Sequence, residues 1–142
     1  MIQSTIRGVR LATILLCGYW CLLFIATHLP KSVVVSFRYS DKLLHFTAYA
    51  GLAFLLAWAL PTVPKHKRLN ILMAGFLAIS YGVMDEISQT PVGRQADIMD
   101  WVADSCGAIV GLTFYAILRW QIVKRGRSRQ APSTTTLEAL QV

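Results

Sequence analysis

Four apolar stretches divide the chain, and the charged residues collect between them. The first runs from Val9 to Leu29 behind Arg7 and Arg10, and the second from Leu43 to Leu60, where Pro61 and Pro64 stop it. The third, Leu69 to Met84, is shorter and is interrupted by Asn70, Gly75 and Gly82. The fourth, Trp101 to Trp120, contains Asp104 and has a tryptophan at each end, where interfacial aromatics belong. About 20 apolar residues of helix cross the hydrocarbon core of a bilayer. The pattern therefore predicts an all-α, polytopic membrane protein, with four transmembrane helices in a compact bundle and spans over about 9–29, 43–60, 69–86 and 101–120. Residues 1–120 form one domain in this reading, and 121–142, basic and then polar, form a disordered tail. Arginines before an apolar run also describe a signal peptide. The first run is long for that and carries bulky Tyr19, Trp20 and Phe24 near its far end, so it is read as a retained helix.

Composition agrees with the pattern: 55% of residues are hydrophobic and the mean hydropathy is +0.51, above the roughly 45–50% of a soluble globular chain. Charge then sets an orientation. Arg7, Arg10, Lys65, Lys67, Arg68, Arg119, Lys124, Arg125, Arg127 and Arg129 fall on one side of the spans, and Lys31, Arg38, Lys42 and Arg94 on the other. The positive-inside rule puts both termini and the short second loop in the cytoplasm, for a multi-pass protein of the cytoplasmic (inner) membrane. The net charge of +7 flanks the spans and leaves no basic face of its own, so no nucleic acid is expected as a partner. Cys17, Cys21 and Cys106 include no C-x-x-C pair and read as small packing residues.

The acids carry more information. Six of the seven carboxylates belong to the less basic side: Asp41, Asp85, Glu86, Asp97, Asp100 and Asp104. They form a polar collar joining the outer ends of helices two, three and four. Asp41, His45 and Tyr49 step by four along one helix face, and Tyr81, Asp85 and Gln89 do the same. Gly75, Gly82, Glu86 and Gln89 make a neighbouring stripe, and Asp97, Asp100, Asp104, Gly107 and Gly111 line the fourth helix. Such faces should look inward, because glycines admit close helix approach and lipid solvates aspartate poorly. Asp41 and Asp100 sit near helix N-termini, where negative charge is favoured. Asp85 and Glu86 sit near a C-terminus and call for a cation, a metal or a proton, with Arg94, His45 and Lys42 as candidate partners. Arg94 is read either as an exposed loop residue or as a guanidinium folded back onto the acids. His45 could serve as a metal ligand or an acid/base group. The spacing matches no metal-binding pattern, so no metal and no cofactor is expected.

Three of these elements, in order, resemble the VanZ-like family of integral membrane proteins. They are Asp41-Lys42-Leu43-Leu44-His45-Phe46 with Tyr49 and Gly51; Tyr81-Gly82 with Asp85-Glu86 and Gln89; and Gly93-Arg94 with Asp97, Asp100, Asp104, Gly107 and Gly111. The resemblance covers about Ser40 to Leu118, while helix one and the tail match by hydropathy alone. Asp104 stands where the family often has asparagine, which adds a charge inside the fourth helix. The resemblance implies a bacterial cell-envelope membrane protein, and the family's namesake is associated with low-level resistance to the glycopeptide teicoplanin.

The leading expectation is a non-enzymatic protein that binds a polar or anionic envelope ligand at the collar and modulates glycopeptide-antibiotic susceptibility. The ligand would be a lipid headgroup or a cell-wall precursor, and membrane lipids are its surroundings. Its ligand-binding residues would be Asp41, His45, Tyr49, Asp85, Glu86, Gln89, Arg94, Asp97, Asp100 and Asp104. One alternative is an intramembrane enzyme acting on a lipid-linked substrate, with Glu86 as general acid/base tuned by His45 and Asp85. The other is a structural or assembly role, in which the collar only locks the helices together. Oligomerisation is left open.

Overall fold

The computed structural model describes residues 5–6, 9–28, 40–60, 67–92 and 97–130. Four helices account for nearly all of them: α1 (Leu11–Thr27), α2 (Ser40–Ala59), α3 (Lys67–Ser88) and α4 (Ile98–Gln130). The exceptions are a two-residue antiparallel pairing of Thr5–Ile6 with Val9–Arg10 and a 3-10 turn over Thr90–Val92. That pairing occupies the start of the expected first span. Arg10 has extended backbone (φ −67°, ψ 131°), so α1 begins at Leu11 rather than Val9.

The helices alternate in direction. Thr27 and His28 at the end of α1, Lys42 and His45 at the start of α2, Asp85 and Glu86 at the end of α3 and Asp97 at the start of α4 meet at one end. At the other end the Asn70 side-chain amide donates to the Leu60 carbonyl (3.2 Å), which closes the α2–α3 connection. α2 lies against each of the other three helices, most extensively against α4. Gly107 and Gly111 make that contact: a Cβ at either would run into the backbone carbonyl of Phe46 or Ala50. Ala53, Ala57, Ala74, Ala78 and Ala108 continue the small-residue interior around Leu52, Leu56 and Tyr49. α1 is fastened to α2 by the Tyr19 hydroxyl, which donates to the Ala48 carbonyl at 2.8 Å.

Three helical segments are long and apolar enough to cross a membrane: Asp41–Ala59, Arg68–Ser88 and Ile98–Arg127. Only about a third of each apolar window is buried inside the protein (33%, 33% and 28%). The outward face is made of side chains such as Phe76 (72% exposed), Leu72, Met84, Ile87 and Phe114. This is a helical bundle solvated by lipid rather than water. The fourth helix, α1, has 17 residues, the short end of what spans a bilayer. The expected spans were too short at most ends. α2 starts earlier, at Ser40, with Asp41 in its first turn. α4 runs ten residues past Trp120, to Gln130, over residues that the sequence places in the basic tail. Lys124, Arg125 and Arg127 are good helix formers and sit near the negative end of the helix dipole, which explains the continuation.

Candidate functional site

The collar end holds polar side chains that the apolar core cannot account for. His45 on α2, Glu86 on α3 and Asp104 on α4 converge there from three helices. Each is nine-tenths or more buried, and one donor atom from each lies within 4.8 Å of the other two. His45 Nδ1 is 2.9 Å from Asp104 Oδ1. Glu86 Oε2 accepts the backbone N–H of Asp97 at 2.9 Å. The remaining oxygens, Glu86 Oε1 and Asp104 Oδ2, are buried and have no hydrogen-bond partner among the described residues, as is the case for the Tyr49 hydroxyl. Leaving a buried polar atom unmatched costs about 1–3 kcal/mol, and more for a charged one, so this cluster is a poor device for folding alone.

A second knot surrounds Asp85, which is 2% exposed. The Thr27 hydroxyl donates to Oδ1 (2.9 Å) and the Gln89 amide to Oδ2 (2.9 Å), while His28 Nδ1 stands 3.9 Å from Oδ1. His28 also reaches the Ser88 hydroxyl at 3.0 Å and stacks on Phe24. These contacts add α1 to a collar that sequence spacing had assigned to the other three helices. Thr27 and His28 were missed because they lie in helix one, which lacks the motif elements. Their only signal is a polar pair closing an apolar run.

The acids at the start of α4 have a different character. Lys42 Nζ bridges Asp97 Oδ2 (3.0 Å) and Asp100 Oδ1 (2.7 Å), with the lysine and Asp97 about half exposed. Asp97 also caps α4, its Oδ1 accepting the Met99 N–H at 2.9 Å. The Met99 amide and then the Lys42 ammonium hold the Asp97 carboxyl below the usual aspartate value. The structure thus separates the candidates. His45, Glu86 and Asp104 come together, with fully buried Tyr49 beside them, stacked on Tyr81 at 6.1 Å. Asp85 and Gln89 form their own pair, and Asp97 and Asp100 belong to the Lys42 clamp. Of the expected partners of Asp85 and Glu86, Lys42 goes to the acids of α4 and His45 to Asp104, and Arg94 lies outside the described residues.

A cavity of about 360 Å³ opens between α1 and α2 next to the cluster. Leu22, Leu23, Ala26 and Leu44 make its walls, and Asp41 and His45 stand at its polar end. Its lining suits an amphiphile, with room for an apolar chain below and a polar group at the collar.

A family model described as VanZ/LLP1 matches residues 12–119. The matched region takes in α1 as well as the three helices that carry the motif elements. No curated protein and no solved structure matches the chain.

Proposed function

The chain belongs to the VanZ/LLP1 family, and from that premise we propose that it holds the polar head of an envelope lipid or lipid-linked cell-wall precursor at the collar. In this reading α1 is a fourth crossing of the cytoplasmic membrane, both termini are cytoplasmic, and the collar faces outward. The asymmetry of lysines and arginines supports that orientation. The observation that carries the proposal is the buried His45–Glu86–Asp104 cluster with two unmatched carboxylate oxygens beside an apolar cavity. A ligand head entering past His45, the member of the cluster that lines the cavity, would bring hydroxyl or ammonium donors toward those oxygens, and its hydrocarbon part would lie along Leu22, Leu23 and Leu44. Capture of such a precursor changes how much of it a glycopeptide meets at the membrane surface, which links the site to antibiotic susceptibility.

The test scores three properties in the same cells: membrane-inserted folded protein, teicoplanin susceptibility, and lipid that copurifies with the protein. Glu86→Gln should keep the folded protein and lose both the susceptibility phenotype and the retained lipid. If the lipid and phenotype survive this change in folded protein, the collar is not the binding site.

A further inference from the structure

We propose that His45, Glu86 and Asp104 bind one divalent transition-metal cation at the collar end of the bundle. The inference concerns the same two oxygens as the reading above: an ion held there would meet the ligand head in place of its direct donors, and because the test uses metal alone, either reading can fail without the other.

The first argument is charge. Two carboxylates with a neutral imidazole carry two negative charges in a buried space. A proton on His45 would offset one of them. A divalent cation offsets both at once, where protons would have to be taken up at the carboxyls one by one, and paired or metal-bound carboxylates are the forms in which buried acids stay ionised. The second argument is the unmatched atoms. Glu86 Oε1 and Asp104 Oδ2 are the buried oxygens without hydrogen-bond partners in this cluster, and their side chains are 6% and 0% exposed. Asp104's other oxygen stands against His45 Nδ1, a hydrogen bond that gives way where Nδ1 binds the ion, and Glu86's other oxygen is already held by the Asp97 amide. Carboxylates that ligate metals are commonly oriented in this way by outer hydrogen bonds.

Geometry is the third argument. Donors at about 2.1 Å from one ion stand roughly 3–3.5 Å apart. His45 Nδ1 and Asp104 Oδ1 already do so, at 2.9 Å. The remaining donors lie within 4.8 Å and need to close by about 1 Å, a movement that the side-chain torsions of Glu86 supply. One imidazole and two carboxylates suit zinc, manganese or ferrous ions, and are too few oxygens for calcium, which takes about six to eight. A second group, Asp41, His45 and Asp100, shares the histidine. Its acids are only partly buried and Asp100 is held by Lys42, so the buried set is the stronger binder.

The experiment takes the full chain, purified in detergent and stripped with a chelator, and titrates it with cobalt(II) and then zinc. Visible absorption and metal content at equilibrium dialysis are the readouts, with circular dichroism and gel filtration reporting the fold. Wild type should bind one equivalent. Glu86→Gln and Asp104→Asn should each weaken binding by about tenfold or more, and Asp41→Asn should leave it unchanged. The proposal is overturned if wild type binds no metal above the detergent blank, if the double variant Glu86→Gln/Asp104→Asn still binds one equivalent, or if Asp41→Asn alone abolishes binding. Should a variant fail to fold, X-ray absorption at the zinc edge of the wild-type protein decides. One imidazole with oxygen ligands supports the site, and a shell without imidazole overturns it.

Discussion

The two ends of the α2–α4 contact are built on opposite principles. Through the middle, Gly107 and Gly111 bring the α4 backbone onto the carbonyls of Phe46 and Ala50, and the neighbours are alanines, leucines and an aromatic. The contact there is backbone against backbone, and the packing explains itself. One turn toward the collar, the same two helices meet through His45 and Asp104, joined by Glu86 from α3. That end buries charge and leaves oxygens unmatched. Shape complementarity between helices in lipid comes from removing atoms, whereas a buried acid is retained where it has something to hold. The seam is therefore the structural half of the site and the collar its chemical half.

The largest effect should come from filling the seam. Gly107→Val or Gly111→Val puts three carbons where a carbonyl of α2 already sits, and α2 and α4 must separate. Overpacking costs about 1–3 kcal/mol where neighbours can adjust, occasionally more, and backbone adjusts least, so about 3 kcal/mol or more is expected. Chemical or thermal unfolding in detergent should show it, with any susceptibility phenotype lost in proportion to folded protein. A seam variant that kept its stability but lost the phenotype would break the division drawn above.

Next in size is the Asp85 knot. Thr27→Val keeps the shape but removes the hydroxyl that donates to Asp85 Oδ1. Losing a hydrogen bond to a buried carboxylate costs about 1–3 kcal/mol, and α1 should loosen from α3 first. Hydrogen exchange or protease sensitivity at the end of α1, measured beside global unfolding, checks this. If α1 stays fully protected, the Thr27–Asp85 contact does not hold it.

How far these features could be read from the sequence depends on whether they lie within one helix or between two. The four helices follow from runs of apolar residues, and the glycine stripe on α4 follows from its spacing. Both are local repeats. The family resemblance pointed to Asp41, His45, Glu86 and Asp104 for the same reason, since each element is contiguous. Partnerships were not legible. Asp41 stands one turn before His45, yet His45 pairs with Asp104, 59 residues away. Glu86 is held by a backbone amide, which no side-chain pattern announces. Three donor side chains spread over three helices share no spacing, so no sequence pattern brings His45, Glu86 and Asp104 together. Helix ends were the other weak point. Ser40, Asp41, Lys124 and Arg125 are polar and fall outside an apolar run, although they lie in α2 and α4, where an acid in the first turn and cations toward the C-terminus suit the helix dipole.

Smaller still on stability is Glu86→Gln. The amide oxygen can accept the Asp97 N–H as the carboxylate does, and a buried charge disappears. Neutral replacement of buried charge is often without cost, so unfolding should shift by no more than about 1 kcal/mol in either direction. Retained lipid should nevertheless be lost and metal binding weakened. This pairing of small stability change with large functional change is what distinguishes the collar from the seam. A collapse of folded protein in Glu86→Gln would make the collar a clasp and merge the two halves.

The smallest effect belongs to the Lys42 clamp on Asp97 and Asp100. Lys42 and Asp97 are about half exposed, and exposed ion pairs contribute little because water and salt screen them. Asp97 is held below the ordinary aspartate value by the Met99 amide and Lys42. A carboxylate with a lowered folded-state value stabilises the protein above its unfolded value and stops doing so as pH falls through the folded one. Lys42→Ala should therefore give a slight drop in melting temperature at neutral pH and low salt. The drop should shrink in 1 M salt, where screening acts within about 3 Å, and disappear at a pH below the lowered Asp97 value. Melting curves of both proteins across this pH and salt grid provide the measurement. A large, salt-insensitive loss would show that the clamp is shielded from water and works with the buried cluster, which would move the boundary of the chemical half outward to include Asp97 and Asp100.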